Sequence, residues 1–113
     1  MPHLKRILIT GGAGFLGSHL CECLVETGHD VICADNFFTS QKRNVAHLLG
    51  CSNFELIRHD IIHPIWLEVD EIYNLAAQSH VAVSFKNPIY STHTSTIGTI
   101  TILESIRNLN KNI

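Results

Sequence analysis

Four glycines crowd into the seven residues Gly11–Gly17 of the stretch ILITGGAGFLGSHL, between an apolar run and a segment with helical periodicity. Glycine loses more conformational freedom on folding than any other residue, so such a cluster makes sense only where backbone turns tightly or is approached closely. The run before it, Lys5–Thr10 (KRILIT), is β-branched and apolar without alternation, which predicts a strand buried on both faces. From Gly14 the period changes. Leu16, Leu20, Cys23 and Leu24 fall on one helical face, and Gly28 stands where a C-cap belongs.

The same alternation continues along the chain. DVICAD (Asp30–Asp35) reads as a second strand ending in an acid, NFFTSQKRN as a polar loop, and QKRNVAHLL as a short helix closed by Gly50. FELIRHD (Phe54–Asp60) is a third strand. Pro64 interrupts IIHPIWLEV, so any helix there is brief. EIYNLAA (Glu71–Ala77) is a fourth strand, followed by a loop to Pro88. Ile97, Ile100, Leu103 and Ile106 then recur at helical spacing and predict the sheet-facing stripe of a long last helix. Strands alternating with helices imply right-handed crossovers and a parallel sheet. The expected fold is α/β, a Rossmann-like doubly wound sheet of about four strands in the order 3-2-1-4, truncated relative to the usual six or more.

In that setting the glycines acquire a purpose. Gly12, Gly14 and Gly17 fit G-x-G-x-x-G, and Gly11, Gly14 and Gly17 fit the variant G-x-x-G-x-x-G. The motif follows a strand, opens a helix, and is followed 18 residues after Gly17 by Asp35 at the end of the next strand. The early glycines let bare backbone approach a pyrophosphate, and Gly17 lets the helix pack on the first strand. The helix start offers unpaired N–H groups and the positive end of its dipole. Asp35 would accept hydrogen bonds from the adenosine ribose, and its charge would repel a 2′-phosphate, so NAD is expected over NADP. Asp60 closes the third strand, where it and Ile61 could edge the adenine or simply begin the next turn. The small Ala76 and Ala77 could leave room for cofactor over the sheet edge, or could serve ordinary packing.

Composition narrows the classes. The chain has 113 residues, 45% of them hydrophobic and 16% charged, which suits one soluble domain. A net charge of −2 gives no bulk attraction for nucleic acid or an anionic membrane. No apolar run nears the ~20 residues of a membrane span, and the N-terminus lacks a signal-peptide core, so a cytoplasmic protein is expected. Cys21, Cys23, Cys33 and Cys51 form no C-x-x-C pair, and the eight histidines lack H-x-x-x-H spacing. No metal is expected.

ITGGAGFLGSHL, ICADNFFTS, FELIRHDI and EIYNLAAQSH resemble the extended short-chain dehydrogenase/reductase family of nucleotide-sugar enzymes. DNFFT, NVAHLLG, NFELIRHDI and LEVDEIYNLA most resemble its UDP-glucuronate decarboxylase group. That group continues with Cys-Pro-Ala-Ser-Pro, whereas Ala77-Gln78-Ser79-His80 and the residues up to Phe85 resemble GDP-mannose or dTDP-glucose 4,6-dehydratases. Ser95 stands where the family has an Asn. The candidate cofactor contacts are Gly11, Gly14, Phe15, Leu16, Gly17, Asp35, Asn36, Phe37, Thr39, Asp60, Ile61, Leu75, Ala76, Ala77 and Thr94.

The resemblance implies transient oxidation at C4 of the sugar by NAD, with a Tyr assisted by a Lys taking the hydroxyl proton. Decarboxylation and re-reduction would follow in the decarboxylases, loss of water in the dehydratases. Neither Tyr73, with Ala77 four residues on, nor Tyr90, with Thr94, fits the Tyr-x-x-x-Lys pattern. Residues 1–113 are therefore expected to form an incomplete N-terminal NAD-binding domain with no catalytic residue of its own and no C-terminal substrate domain. A nucleotide-sugar substrate would bind only if the missing part were supplied. Alternatives are a fragment of a dehydratase or a UDP-sugar 4-epimerase, and a non-catalytic dinucleotide-binding module. The fourth strand lies at an edge without Pro or Lys, which predicts self-association or a homo-oligomer.

Overall fold

Residues 4–37, 40–63, 67–76 and 97–108 are described by a computed structural model. Strand β1 (Arg6–Thr10) leads through the glycine turn into helix α1 (Phe15–Thr27) and on to β2 (Asp30–Asp35). Strands β3 (Phe54–Arg58) and β4 (Glu71–Asn74) and helix α2 (Gly98–Asn108) follow. The four strands pair in parallel in the order β3-β2-β1-β4, the expected topology. The second strand runs over the expected residues. The first begins one residue later than expected, at Arg6, and the third stops at Arg58 because Asp60 turns the chain by accepting the Ile62 N–H at 3.2 Å. The fourth ends at Asn74.

Period-two alternation divides the core. Ile7, Ile9, Val31 and Cys33 point to one side, where Cys21 and Val25 of α1 meet them. Leu8, Ile32 and Ala34 point to the other and pack with Ile61, Val69 and Ile102 of α2. β1 is buried at every position after Arg6, as its unbroken apolar run implied. Each fully buried Ile or Leu there contributes about 1.5–3 kcal/mol.

Three local expectations fail, each for a packing reason. The face of α1 is rotated from the Leu16, Leu20, Cys23, Leu24 stripe: Gly17, Ser18, Cys21 and Val25 are buried, Leu20 and Leu24 pack half-buried on the core as expected, and Leu16, 72% exposed, and Cys23 are turned out. Close approach of Gly17 to the glycine turn decides that rotation. In α2, Gly98, Ile102 and Ser105 face inward, whereas Ile97, Ile100 and Leu103 are exposed and only Ile106 packs on the core. A helix with apolar residues on two sides has its buried face chosen by fit, and here a small-large-small row lies on the sheet. The helix expected over QKRNVAHLL is instead two 3₁₀ turns, Lys42–Asn44 and Ala46–Leu48. Between them the fully buried Val45 leaves helical geometry at φ −119°, ψ 8°, so that its branched side chain fills the core beside Leu48.

The β1–β4 pairing carries an ionic staple. Lys5 Nζ pairs with Glu71, and the Tyr73 hydroxyl donates to the other carboxylate oxygen at 3.2 Å. The hydrogen bond from Lys5 holds Glu71 below the usual carboxylate range, and Glu71 in turn pushes Lys5 up. A depressed carboxylate stabilises fully above its unfolded value, about 4.3, and that contribution is lost as pH falls through the folded value. The raised Lys5 contributes below its unfolded value, about 10.4, and loses that contribution as pH rises through the folded one. The pair is partly solvated, so its effect is small. Melting curves of Glu71→Gln should lie below those of the parent at pH 6 and merge with them near pH 3. An equal gap at both pH values would assign the loss to packing instead of charge.

Candidate functional site

The carboxyl ends of β1 and β2 are joined by the glycine turn, and the turn is shaped by what it cannot accommodate. Gly11 adopts φ +71°, and its N–H donates to the Ala34 carbonyl at 2.7 Å. A Cβ on Gly11 would lie 2.8 Å from the Leu75 carbonyl carbon and 2.9 Å from Ala76 Cα, so this turn and the end of β4 are in backbone contact. A Cβ on Gly12 would lie 2.4 Å from Cys33 Sγ, and one on Gly17 2.3 Å from the Gly11 carbonyl oxygen. Buried Cys21 donates weakly to the Gly12 carbonyl at 3.7 Å. Its hydrogen bond to Cys33, together with burial, pushes the Cys33 thiol well up, so Cys33 stays protonated packing material.

Helix α1 opens towards this turn. Gly14, at its N-cap, is extended at φ −77°, ψ −179°, brings no side-chain cap, and receives the Ser18 N–H at 2.9 Å. The first turn holds no acidic residue. The positive end of a 13-residue helix is thus left uncompensated by any side chain of its own first turn. Phe15 and Leu16 stand exposed beside it, at 76% and 72%.

Asp35 ties the turn to the second strand. Its Oδ2 accepts the Ala13 N–H at 3.0 Å, and its Oδ1 accepts the Phe37 N–H at 2.8 Å and the Ser40 hydroxyl at 2.7 Å. From the other side Asn44 Nδ2 donates to the Ala13 carbonyl at 2.8 Å. Ala13 is thus pinned through both its N–H and its carbonyl. An ionised carboxylate has about four lone-pair sites, and donors among the described residues take three of them. Beside it, Asn36 Nδ2 reaches Asp60 Oδ2 at 3.1 Å, linking the ends of β2 and β3.

Of the residues singled out in the sequence, Gly11, Gly14, Gly17, Asp35, Leu75 and Ala76 converge on one crevice. Asn36, Phe37 and Asp60 border it along β2 and β3. The Ile61 side chain is buried at 3% exposure in the core under the sheet, which leaves only its main chain for a ligand. Thr39, Ala77 and Thr94 lie outside the described residues, as do Pro64, Tyr90 and Ser95. Ser40 and Asn44 were missed. Both sit in a stretch whose polarity signals only a loop, and their partners, Asp35 and Ala13, are 5 and 31 residues away.

Glycine main chain, a helix N-terminus and one carboxylate, brought together here, are the groups that a diphosphate and a ribose call for. A Cβ at residue 11, 12 or 17 would collide with the protein's own atoms, so these glycines are packing necessities. At Gly14 a Cβ would meet only the Gly11 carbonyl oxygen among the described residues, at 3.4 Å, which leaves backbone at the helix start that fits a diphosphate.

Comparison with known proteins agrees with that geometry. Residues 8–113 match the family model for GDP-mannose 4,6 dehydratase. UDP-glucuronic acid decarboxylase 1 of Danio rerio is 54% identical over 99 residues, covering 88% of this chain and 24% of the relative. UDP-glucuronic acid decarboxylase 1 of Arabidopsis thaliana is 49% identical over 98 residues, covering 87% and 22%. The chain thus spans about a quarter of the length of these curated relatives. Among solved structures, a UDP-galactose 4-epimerase superposes with a TM-score of 0.79 at 32% identity, over 93% of this chain and 35% of the other. A UDP-glucose 4-epimerase of Thermus thermophilus in complex with NAD superposes with a TM-score of 0.75 at 29% identity, over 93% and 34%.

Proposed function

Because this chain belongs to the GDP-mannose 4,6 dehydratase family, we propose that it forms the NAD-binding portion of a nucleotide-sugar-modifying enzyme, most like a UDP-glucuronic acid decarboxylase. The observation that carries this reading is the half-buried glycine main chain at Gly14, where an added Cβ would meet only the Gly11 carbonyl oxygen among the described residues, at 3.4 Å, at the start of α1 and next to the Asp35 contact to Ala13. A diphosphate is the ligand that main chain without a side chain over it suits at a helix N-terminus.

The residues divide the work. Gly11, Gly12 and Gly14 let a diphosphate approach the backbone, and the start of α1 supplies N–H donors and dipole. Asp35 takes a ribose hydroxyl. When bound, NAD supplies a hydride acceptor for a sugar carbon. Tyr73 is not suited to be the proton-abstracting group. It donates to Glu71, a contact that raises its pKa, the wrong direction for a base.

The identity of 54% to a decarboxylase favours that class, while the solved neighbours favour a 4-epimerase as the second reading. Neither outcome is expected from this chain alone. Isothermal titration with NAD⁺ tests the binding reading, with saturable one-to-one heat as the expected result. A folded sample that produces none at millimolar NAD⁺ would leave a scaffold without a ligand.

A further inference from the structure

The two 3₁₀ turns between β2 and β3 send few side chains inward. Lys42, Arg43, Ala46 and His47 are exposed, whereas Val45 is fully buried and Asn44 is half-buried. Val45 and Leu48 lock the segment into the same core cluster as Cys21 and Val25 of α1. With its neighbour anchored in this way, Asn44 has little freedom of position. Its Nδ2 donates to the Ala13 carbonyl at 2.8 Å, across 31 residues of sequence.

That carbonyl belongs to the Ala13–Gly14 peptide, whose N–H donates to the Gly11 carbonyl at 3.2 Å. The preceding peptide is fixed separately, by the Ala13 N–H on Asp35. Gly14 is the N-cap of α1, so the plane between Ala13 and Gly14 sets where the first N–H groups of the helix point. Two properties make this plane depend on a hold from outside. Gly14 accepts φ of either sign, so the peptide can rotate at little steric cost. Ala13 is 0% exposed, so water cannot take the place of Asn44 at the carbonyl.

We propose that Asn44 is a positioning residue for the diphosphate: it keeps the Ala13–Gly14 peptide in the orientation that opens the start of α1 to the ligand. The inference rests on the dinucleotide reading above and adds to it a residue that acts through Ala13. Once the amide is removed, the buried carbonyl loses this donor and the peptide turns to seek another. The Gly14 N–H then leaves Gly11, and the first turn of α1 shifts with it. NAD⁺ must select the original orientation from a mixture, and its apparent affinity falls by the fraction that remains competent.

Asn44→Ala tests this against a matched control. Asn53, at the opposite end of the sheet, is also half-buried and also donates its side-chain amide to main-chain carbonyls, those of Val25 at 3.1 Å and His29 at 2.9 Å. A purely structural role for Asn44 would give both alanine variants the same result, a lower Tm and an unchanged NAD⁺ affinity. Isothermal titration should instead show NAD⁺ about 5- to 10-fold weaker in Asn44→Ala, the factor by which one lost hydrogen bond shifts two orientations. In Asn53→Ala the affinity should stay within about twofold of the parent. In ligand-free NMR spectra the amide signals of residues 11–16 should move or double in Asn44→Ala and stay in place in Asn53→Ala. Thermal melting checks that each variant is folded. If Asn44→Ala is not, Asn44→Leu replaces it, since leucine keeps the branched shape and drops the donor. Unchanged NAD⁺ affinity in a folded Asn44 variant, or an equal loss in Asn53→Ala, overturns the inference while the dinucleotide reading stands. A parent that binds no NAD⁺ overturns both.

Discussion

Asp35→Ala should both weaken the fold and abolish nucleotide binding. The carboxylate accepts three hydrogen bonds from the described residues, and two of the donors are main-chain N–H groups, of Ala13 and Phe37, that alanine would leave without an acceptor. Each buried donor left unsatisfied costs about 1–3 kcal/mol, so a loss of roughly 2–5 kcal/mol is expected. For a chain whose total stability is on the order of 5–15 kcal/mol, that is a large fraction. Chemical denaturation followed by circular dichroism measures it. Asp35→Asn separates folding from binding because it keeps volume and one acceptor oxygen. It should remain folded yet bind NAD⁺ about tenfold or more weakly, the worth of a charge-assisted hydrogen bond. A folded Asp35→Asn protein with unaltered NAD⁺ affinity would remove Asp35 from the site.

The second large effect sets two principles against each other. Gly17 is the third residue of α1, where alanine is favoured by about 1 kcal/mol on helix propensity alone. Yet the added Cβ would meet the Gly11 carbonyl oxygen at 2.3 Å and Gly12 Cα at 2.7 Å, and both are backbone atoms that cannot rotate away. Overpacking of this kind costs about 1–3 kcal/mol or more, and here the helix must move off the strand to relieve it. The clash should win. Gly17→Ala is expected to lower Tm by about 5–15 °C in a domain of this size and to impair NAD⁺ binding by displacing the helix N-terminus. Gly50→Ala, at a position with open space around the new Cβ, is the matched control and should stay within about 0.5 kcal/mol of the parent. A Gly17→Ala protein more stable than its parent would mean that helix and turn are farther apart than described.

These experiments probe features that differ in how plainly the chain announces them. The strand order, the bounds of β2 and the meeting of Asp35 with the glycine turn all follow from short-range pattern: apolar runs, turn residues and an acid at a set distance. Such features survive because backbone geometry and period-two or helical burial act on neighbours in the chain. Ser40 and Asn44 did not announce themselves, since each matters through a residue that only folding brings near.

The helix faces are the clearest case. Both α1 and α2 carry apolar residues on more than one side, so periodicity alone allows several rotations. For α1 the absence of a side chain at Gly17 permits the closest approach to the turn, and that contact turns Cys21 and Val25 inward. For α2 the row Gly98, Ile102, Ser105 sits flush on the sheet, and the bulkier Ile100 and Leu103 remain outside. Val45, too, gives up a helix to plug the core. Local chemistry along the chain therefore settled the order of elements and the glycine-and-acid crevice. Packing settled which side chains face it, because dense interiors select among several acceptable local answers by shape.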